Sequence, residues 1–272
     1  MAGASGWERS NGVMSSRKPL LLALALSVLP ASAETRRIAI IKADDVTGVH
    51  PKWERFFKLS EEHGVPVSAG VIANSFEKQD GEYDDWLKAW EATGKVEFWN
   101  HGWDHRRWDE KGQTKSEFGG SGYEHQRSHI AKVQDAGKAA LGKPFTVFGS
   151  PFNAMDSDTA KALNEFPDLK MVFCHPGVEP TKELKGKILL PMFLRGEHDG
   201  TGKPNFAKFK EDYEKKKTDP SLSFAAVQFH PGMFSEEGFT DYVAIIQFLK
   251  AEGWTFMLPG EYAKTLAGPD QP

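Results

Sequence analysis

Only one cysteine, Cys174, occurs in 272 residues. A lone thiol closes no internal disulfide, and it excludes a zinc site built from several thiolates. Neither sign of charge dominates. The 34 Lys and Arg against 38 Asp and Glu leave a net charge of -4, without the basic footprint of a nucleic-acid-binding protein. No apolar run is long enough for a stable bilayer span, which needs about 20 residues. Internal repeats and low-complexity tracts are missing too. With 39% hydrophobic and 26% charged residues, disorder, collagen and coiled coil are excluded and a globular core is expected.

The longest apolar run, 20–29, follows Arg17, Lys18 and Pro19 and precedes Pro30 and Ala31-Ser32-Ala33. A basic start, a short apolar stretch and a small-x-small end describe a secretory signal peptide. Residues 1–33 are therefore expected to be a removed leader, with Met14 as an alternative start. The alternative is an uncleaved anchor. In either case the domain, residues 34–272, lies outside the cytoplasm, periplasmic or secreted, and the mature chain contains no integral membrane span.

Within that domain, strand-length apolar runs alternate with helix-period segments. The strands are expected at 37–43, 66–72, 95–99, 145–149, 169–174, 187–193, 222–229 and 254–258. Several are continuous apolar runs, which suits strands covered on both faces. The 3.6 period predicts helices over 52–63, over 124–141 and along Phe239, Tyr242, Val243, Ile246 and Leu249, each followed by a glycine. Strand then helix, repeated about seven times, reads as a parallel α/β domain. In such folds chemistry collects at the carboxyl ends of the strands.

Four motifs pass that test. Asp44-Asp45 close the first strand, and paired carboxylates suit a division between metal binding and proton transfer. Adjacent strand residues face opposite ways, so both serve one site only if the strand ends there and the backbone turns. The alternative is an acidic cap on a loop. His101 and His105 follow the third strand, at a spacing that on a helical turn brings both rings to one side. With one carboxylate from Asp45 they complete a set of two histidines and a carboxylate, with open positions for water and substrate. His230 and His175 each end an apolar strand and begin His-Pro-Gly, and either can protonate a leaving group near neutral pH. Ser150-Pro151-Phe152-Asn153 follows a strand and could aim a backbone N–H at an oxyanion.

Aromatics crowd one glycine-rich stretch: Trp99, Trp103, Trp108, Phe118 and Tyr123. They read either as flat faces for sugar rings or as a small hydrophobic cluster under a loop. His125 and His129, four apart on an expected helix, read as surface residues with a minor accessory-metal alternative.

Taken in order, these motifs resemble the polysaccharide deacetylases, the NodB-homology group of carbohydrate esterase family four. The likeness runs from Arg37 to Leu266 and is most specific over 98–105. It implies a distorted (β/α) barrel of about seven parallel strands. Asp44 matches the general base, Asp45, His101 and His105 the metal ligands, and His230 the general acid. Pro151 and Phe152 match the oxyanion loop, with Trp103, Trp108, Tyr123 and Arg195 as candidate substrate contacts. The implied cofactor is a divalent metal, zinc first, with cobalt, nickel or manganese as alternatives. The implied partner is an acetylated polysaccharide or oligosaccharide.

The chain departs from the family pattern at three places. Gly149 stands where the loop arginine belongs, Ala43 where an aromatic is usual, and Phe173-Cys174-His175 near the place of an Asp-Trp segment that orients the catalytic base. Arg195 or Lys42 is expected to supply the missing positive charge. These departures keep two alternatives open: a non-catalytic carbohydrate-binding relative, and a metal hydrolase of another amide or ester.

Overall fold

The computed structural model describes Gly6 and residues 36–78, 81–177, 179–219 and 221–267. Apart from Gly6, the expected leader lies outside the described residues. In chain order the elements are β1 (Arg37–Val46), α1 (Pro51–Glu62), β2 (Val67–Val71), α2 (Gly81–Ala92), β3 (Val96–Asn100), β4 (Arg107–Glu110), β5 (Gln113–Ser116), α3 (Tyr123–Leu141), β6 (Val147–Phe148), α4 (Ser157–Leu163), β7 (Met171–Cys174), β8 (Ile188–Pro191), α5 (Phe206–Lys216), β9 (Phe224–Phe229), α6 (Glu236–Ala251), β10 (Trp254–Phe256) and α7 (Pro259–Ala267).

All eight expected strands are present, and they pair in parallel. Seven of them, β1, β2, β3, β6, β7, β8 and β9, form a nearly closed barrel. The last gap is bridged at one point, Leu194 to Val227. The eighth, β10, pairs with the first residues of β1, below the contact of β1 with β2. The hairpin β4–β5 stands apart as its own two-stranded sheet. No helix among the described residues is long and apolar enough to cross a membrane.

Side-chain alternation along the strands sorts the core into two layers. Ala39, Ile41 and Ala43 of β1 point outward and join Trp53, Phe56 and Phe57 of α1, Ile130 and Val133 of α3, and Phe239, Tyr242 and Ile246 of α6. Ile40, Trp99, Val147, Met171, Phe173, Leu190 and Phe224 form a smaller cluster inside the barrel, with Tyr262 of α7 packed against it. That parity places Lys42 and Asp44 on the interior side as well, where Lys42 is fully buried.

Candidate functional site

The site is built at the carboxyl ends of β1, β3, β6 and β9, and it begins with a distortion in β1. The strand does not end at the acidic pair, as the sequence suggested, but continues to Val46. A bulge does the turning. Ala43 lies opposite Ala69 and Val46 opposite Val71, so three steps along β1 match two along β2. Asp45 takes a left-handed φ of 76°. Asp44 stays buried, and Asp45 is re-aimed toward the same site rather than across the sheet.

His101 and His105 are brought together by an irregular loop, not by the helical turn that their spacing suggested. Gly102 at φ 80° and His105 at φ 51° bend the chain back, leaving the ring centroids 5.1 Å apart. His101 Nε2 lies 3.2 Å, and His105 Nε2 3.4 Å, from Asp45 Oδ1. These three residues offer ligand atoms that all lie within 4.8 Å of one another.

This set fits a divalent cation. His101 Nδ1 faces the Gly149 carbonyl at 2.7 Å, so it carries the proton and leaves Nε2 with a lone pair. That Nε2 and Asp45 Oδ1 are both buried with no hydrogen-bond partner. Two buried acceptors facing each other with no donor between them are costly unless a cation joins them. Burial pushes the Asp45 carboxyl up, but the His101 imidazole 3.2 Å away, with His105 and His230 behind, outweighs this and leaves it well below the usual carboxylate range. Burial, and beside it the His101 imidazole, pull His105 down toward its neutral, ligating form.

The second half of the site surrounds Asp44. Its Oδ2 lies 3.7 Å from His101 Nε2 and 3.8 Å from His230 Nε2, between the metal-type group and the histidine. Gln228 Nε2 donates to Asp44 Oδ2 at 2.9 Å, and Asn153 Nδ2 donates to Gln228 Oε1 at 3.0 Å. His230 is held from behind by Glu197, which accepts from His230 Nδ1 and from its backbone N–H, both at 2.7 Å. Burial alone would push the His230 imidazole down, but the bond to Glu197 and the charge of Asp44 raise it above its ordinary value. Sequence reasoning missed Glu197, which lies in a loop 33 residues before its partner. Gln228 carried a signal: it is the only polar residue in the run of β9.

The loop after β6 touches both halves. Phe152 at φ 59° and Asn153 at φ 53° are consecutive left-handed residues, a strained arrangement of the kind that clusters at functional sites. The strain aims the Phe152 ring at His105, centroids 4.3 Å apart, and the Asn153 amide at Gln228. Pro151 starts this turn and is buried.

The missing loop arginine has a steric counterpart. A Cβ on Gly149 would meet Cζ3 of Trp99 at 2.6 Å, because that indole fills the barrel interior. The charge arrives instead from below. Lys42 Nζ lies 5.0 Å from the Trp99 ring centroid and 5.6 Å from that of Phe173, and bonds both Asp44 oxygens at 2.6 and 2.5 Å. Of the two candidates named from sequence, Lys42 stands beside Asp44. Arg195 does not: it is exposed and donates through Nε to the Glu197 carbonyl.

Arg195 and His230 both line a cleft of about 540 Å³, together with Asn153, His175, Glu197 and Gln228. His175 is thus on the cleft wall, where burial and the charges of Lys42 and Arg195 hold it below its usual value. The candidate sugar-binding aromatics are not brought to this cleft. Trp103 packs on the core, and Tyr123 is tied through its hydroxyl to Glu165. On the hairpin, Arg107 reaches over the Phe152 ring at 4.1 Å, while Trp108 faces the other way, toward His125. His129, expected at the surface, is buried and faces Glu117 Oε1 at 3.0 Å.

The family model for polysaccharide deacetylase matches residues 32–168, just over half of the chain. That stretch includes Asp44, Asp45, His101, His105 and the loop after β6. Among solved structures, a family 4 acetyl xylan esterase from Clostridium thermocellum, in complex with cobalt, superposes with a TM-score of 0.59 at 13% identity, covering 86% of this chain and 93% of its own. The family 4 esterase domain of a multidomain xylanase from the hindgut metagenome of Trinervitermes trinervoides gives 0.56 at 12% identity, covering 87% and 94%. A family 4 pseudoenzyme from Bacillus anthracis gives 0.52 at 11% identity, covering 81% of this chain and 63% of its own. The chain therefore spans less than two thirds of the pseudoenzyme. At these identities the superpositions establish the fold alone. No curated protein matches the sequence.

Proposed function

The chain belongs to the polysaccharide deacetylase family, and we propose that it is a metal-dependent deacetylase that removes acetyl groups from N- or O-acetylated sugars of a polysaccharide. The observation that carries this reading is the pair of buried, partnerless acceptors, Asp45 Oδ1 and His101 Nε2, beside Asp44 and His230. Asp45, His101 and His105 would hold the metal, and two imidazoles with a carboxylate suit zinc first, then cobalt, nickel or manganese. When bound, such a metal supplies a Lewis acid for the acyl oxygen and lowers the pKa of water.

The chain's own residues do the rest. Asp44 takes the proton of the attacking water, with Lys42 and Gln228 fixing its carboxylate. The Phe152 N–H donates to the oxyanion that develops on the acyl carbon. His230 gives its proton to the departing amine or alcohol as the C–N or C–O bond breaks. Glu197 orients that imidazole and favours its protonated form. The leader read from residues 1–33 makes this a periplasmic or secreted activity on a polysaccharide or oligosaccharide.

Two observations favour a second reading, a non-catalytic carbohydrate binder: the family's loop arginine is absent at Gly149, and a pseudoenzyme shares the fold. Lys42 on Asp44 speaks against it. Acetate release from N-acetylglucosamine oligomers and O-acetylated xylan separates the two. The proposed reading predicts release that stops on chelation and returns with zinc. Bound metal without release from any acetylated substrate favours the binder.

A further inference from the structure

A second carboxylate–histidine group lies next to the first. Asp104, Glu117 and His129 also bring ligand atoms within 4.8 Å of one another, so their geometry alone would allow a second cation. The hydrogen bonds of Glu117 decide otherwise. Glu117 is fully buried. Its Oε1 accepts from the Trp103 N–H at 2.5 Å and faces His129 Nδ1 at 3.0 Å. Its Oε2 accepts from the His105 N–H at 2.8 Å and the Asp104 N–H at 3.3 Å. A carboxylate offers about four lone-pair sites, and all four are taken. A cation here would have to displace donors from a group that is already satisfied.

The donors themselves point to a different role. Three are consecutive backbone N–H groups, and the last belongs to His105. The loop winds round this one carboxylate so closely that a Cβ on Gly102 would come within 2.7 Å of Glu117 Oε2. The Glu117 N–H in turn donates to the Arg106 carbonyl at 2.9 Å, closing the loop from its far side. Within that clamp His105 keeps a left-handed φ of 51°, which a non-glycine residue adopts only when its surroundings impose it.

We propose that Glu117, backed by His129, is the positioning residue that fixes His105 as the third metal ligand. It acts from behind the site, on the backbone of the ligand-bearing loop. The proposal rests on the metal reading of Asp45, His101 and His105, and the test separates the two.

Cobalt(II) is titrated into the wild-type chain, Glu117→Gln and a control, Tyr213→Phe, following both affinity and visible absorption. Tyr213 is buried near the opening of β1, where its hydroxyl bonds Arg37 and Trp254, so its variant loses stability away from the site. In Glu117→Gln an amide N–H₂ meets backbone N–H donors. Outer-shell losses of this kind weaken metal binding about 10–100-fold. The expected result is that loss, with altered cobalt absorption, in Glu117→Gln and wild-type values in Tyr213→Phe. Wild-type affinity and spectrum in Glu117→Gln would overturn the proposal, as would equal losses in the two variants. If Glu117→Gln does not fold, His129→Gln carries the test: it removes one donor and leaves the carboxylate. A loss of a few-fold is then expected, and unchanged binding overturns the proposal. A wild-type chain that binds no cobalt overturns the metal reading itself.

Discussion

Two pairs of histidines four residues apart, His101 with His105 and His125 with His129, lie near a carboxylate each, and they have opposite fates. The second pair is on a helix, the setting in which that spacing aligns two rings, and its centroids are only 4.0 Å apart. The first is on an irregular loop with centroids 5.1 Å apart. Yet the loop pair is left with an orphaned Nε2 facing an orphaned carboxylate oxygen, while on the helix His125 Nε2 is also orphaned but the carboxylate, Glu117, that His129 is bonded to has every lone pair filled. Spacing and residue type do not separate a metal centre from a structural clamp. Whether the carboxylate keeps an unfilled lone pair does.

The largest effect expected from breaking this contrast is at Asp45. Asp45→Ala removes the carboxylate of the open cluster and should abolish metal binding and acetate release together. Asp44→Asn keeps the ligands and should keep the metal, while the loss of the base costs turnover about 10²–10⁴-fold. A full rate in Asp44→Asn with metal retained would falsify its assignment as base.

Lys42→Met tests stability rather than chemistry. Removing one partner of a buried ion pair costs about 3–5 kcal/mol, which a shift of the unfolding midpoint in denaturant reads directly. Gln228 still donates to Asp44, so the lower end is expected. An unchanged midpoint would mean that Asp44 is not held as an ion in the native state.

Glu197→Gln sharpens the assignment of the acid. Glu197 raises His230 above the ordinary histidine value of 6.5, so the protonated acid persists to higher pH. The alkaline limb of kcat therefore lies above that value in the wild type and moves to lower pH in the variant. The same sign holds for stability: this interaction stabilises the fold below the unfolded histidine value and is lost as pH rises through the folded one. A limb that does not move belongs to another group. The smallest effect is expected from Arg195→Ala, an exposed residue: within about 0.5 kcal/mol, or twofold in kcat/KM. A larger loss would make Arg195 a substrate contact of the cleft it lines.

Much of this was legible in sequence, for physical reasons. Strands buried on both faces write continuous apolar runs, and all eight were found. The hairpin β4–β5 was not, because its residues are mostly exposed and carry no apolar alternation. Helix α2 was also missed: it buries only Tyr83 and Leu87, too few to write a period. The polar groups at strand ends were visible because each interrupts or ends an apolar run, and Lys42 within β1 and Gln228 within β9 belong to the same class. Glu197 and Glu117 were not visible. Both act through contacts 33 and 12–14 residues away, from segments with no pattern of their own. The adjacent aspartates were read as a strand end when a bulge does the work, because a bulge is set by register with β2 and leaves no mark on β1 alone.

The most direct test of the contrast between the two clusters is metal content per chain after reconstitution with zinc and removal of excess, in the wild type and in Asp45→Ala. One zinc per wild-type chain and none in the variant is the expected result. Two per wild-type chain, or one retained in Asp45→Ala, would place a metal on the Glu117 cluster and contradict it, and none in the wild type would remove the metal centre altogether.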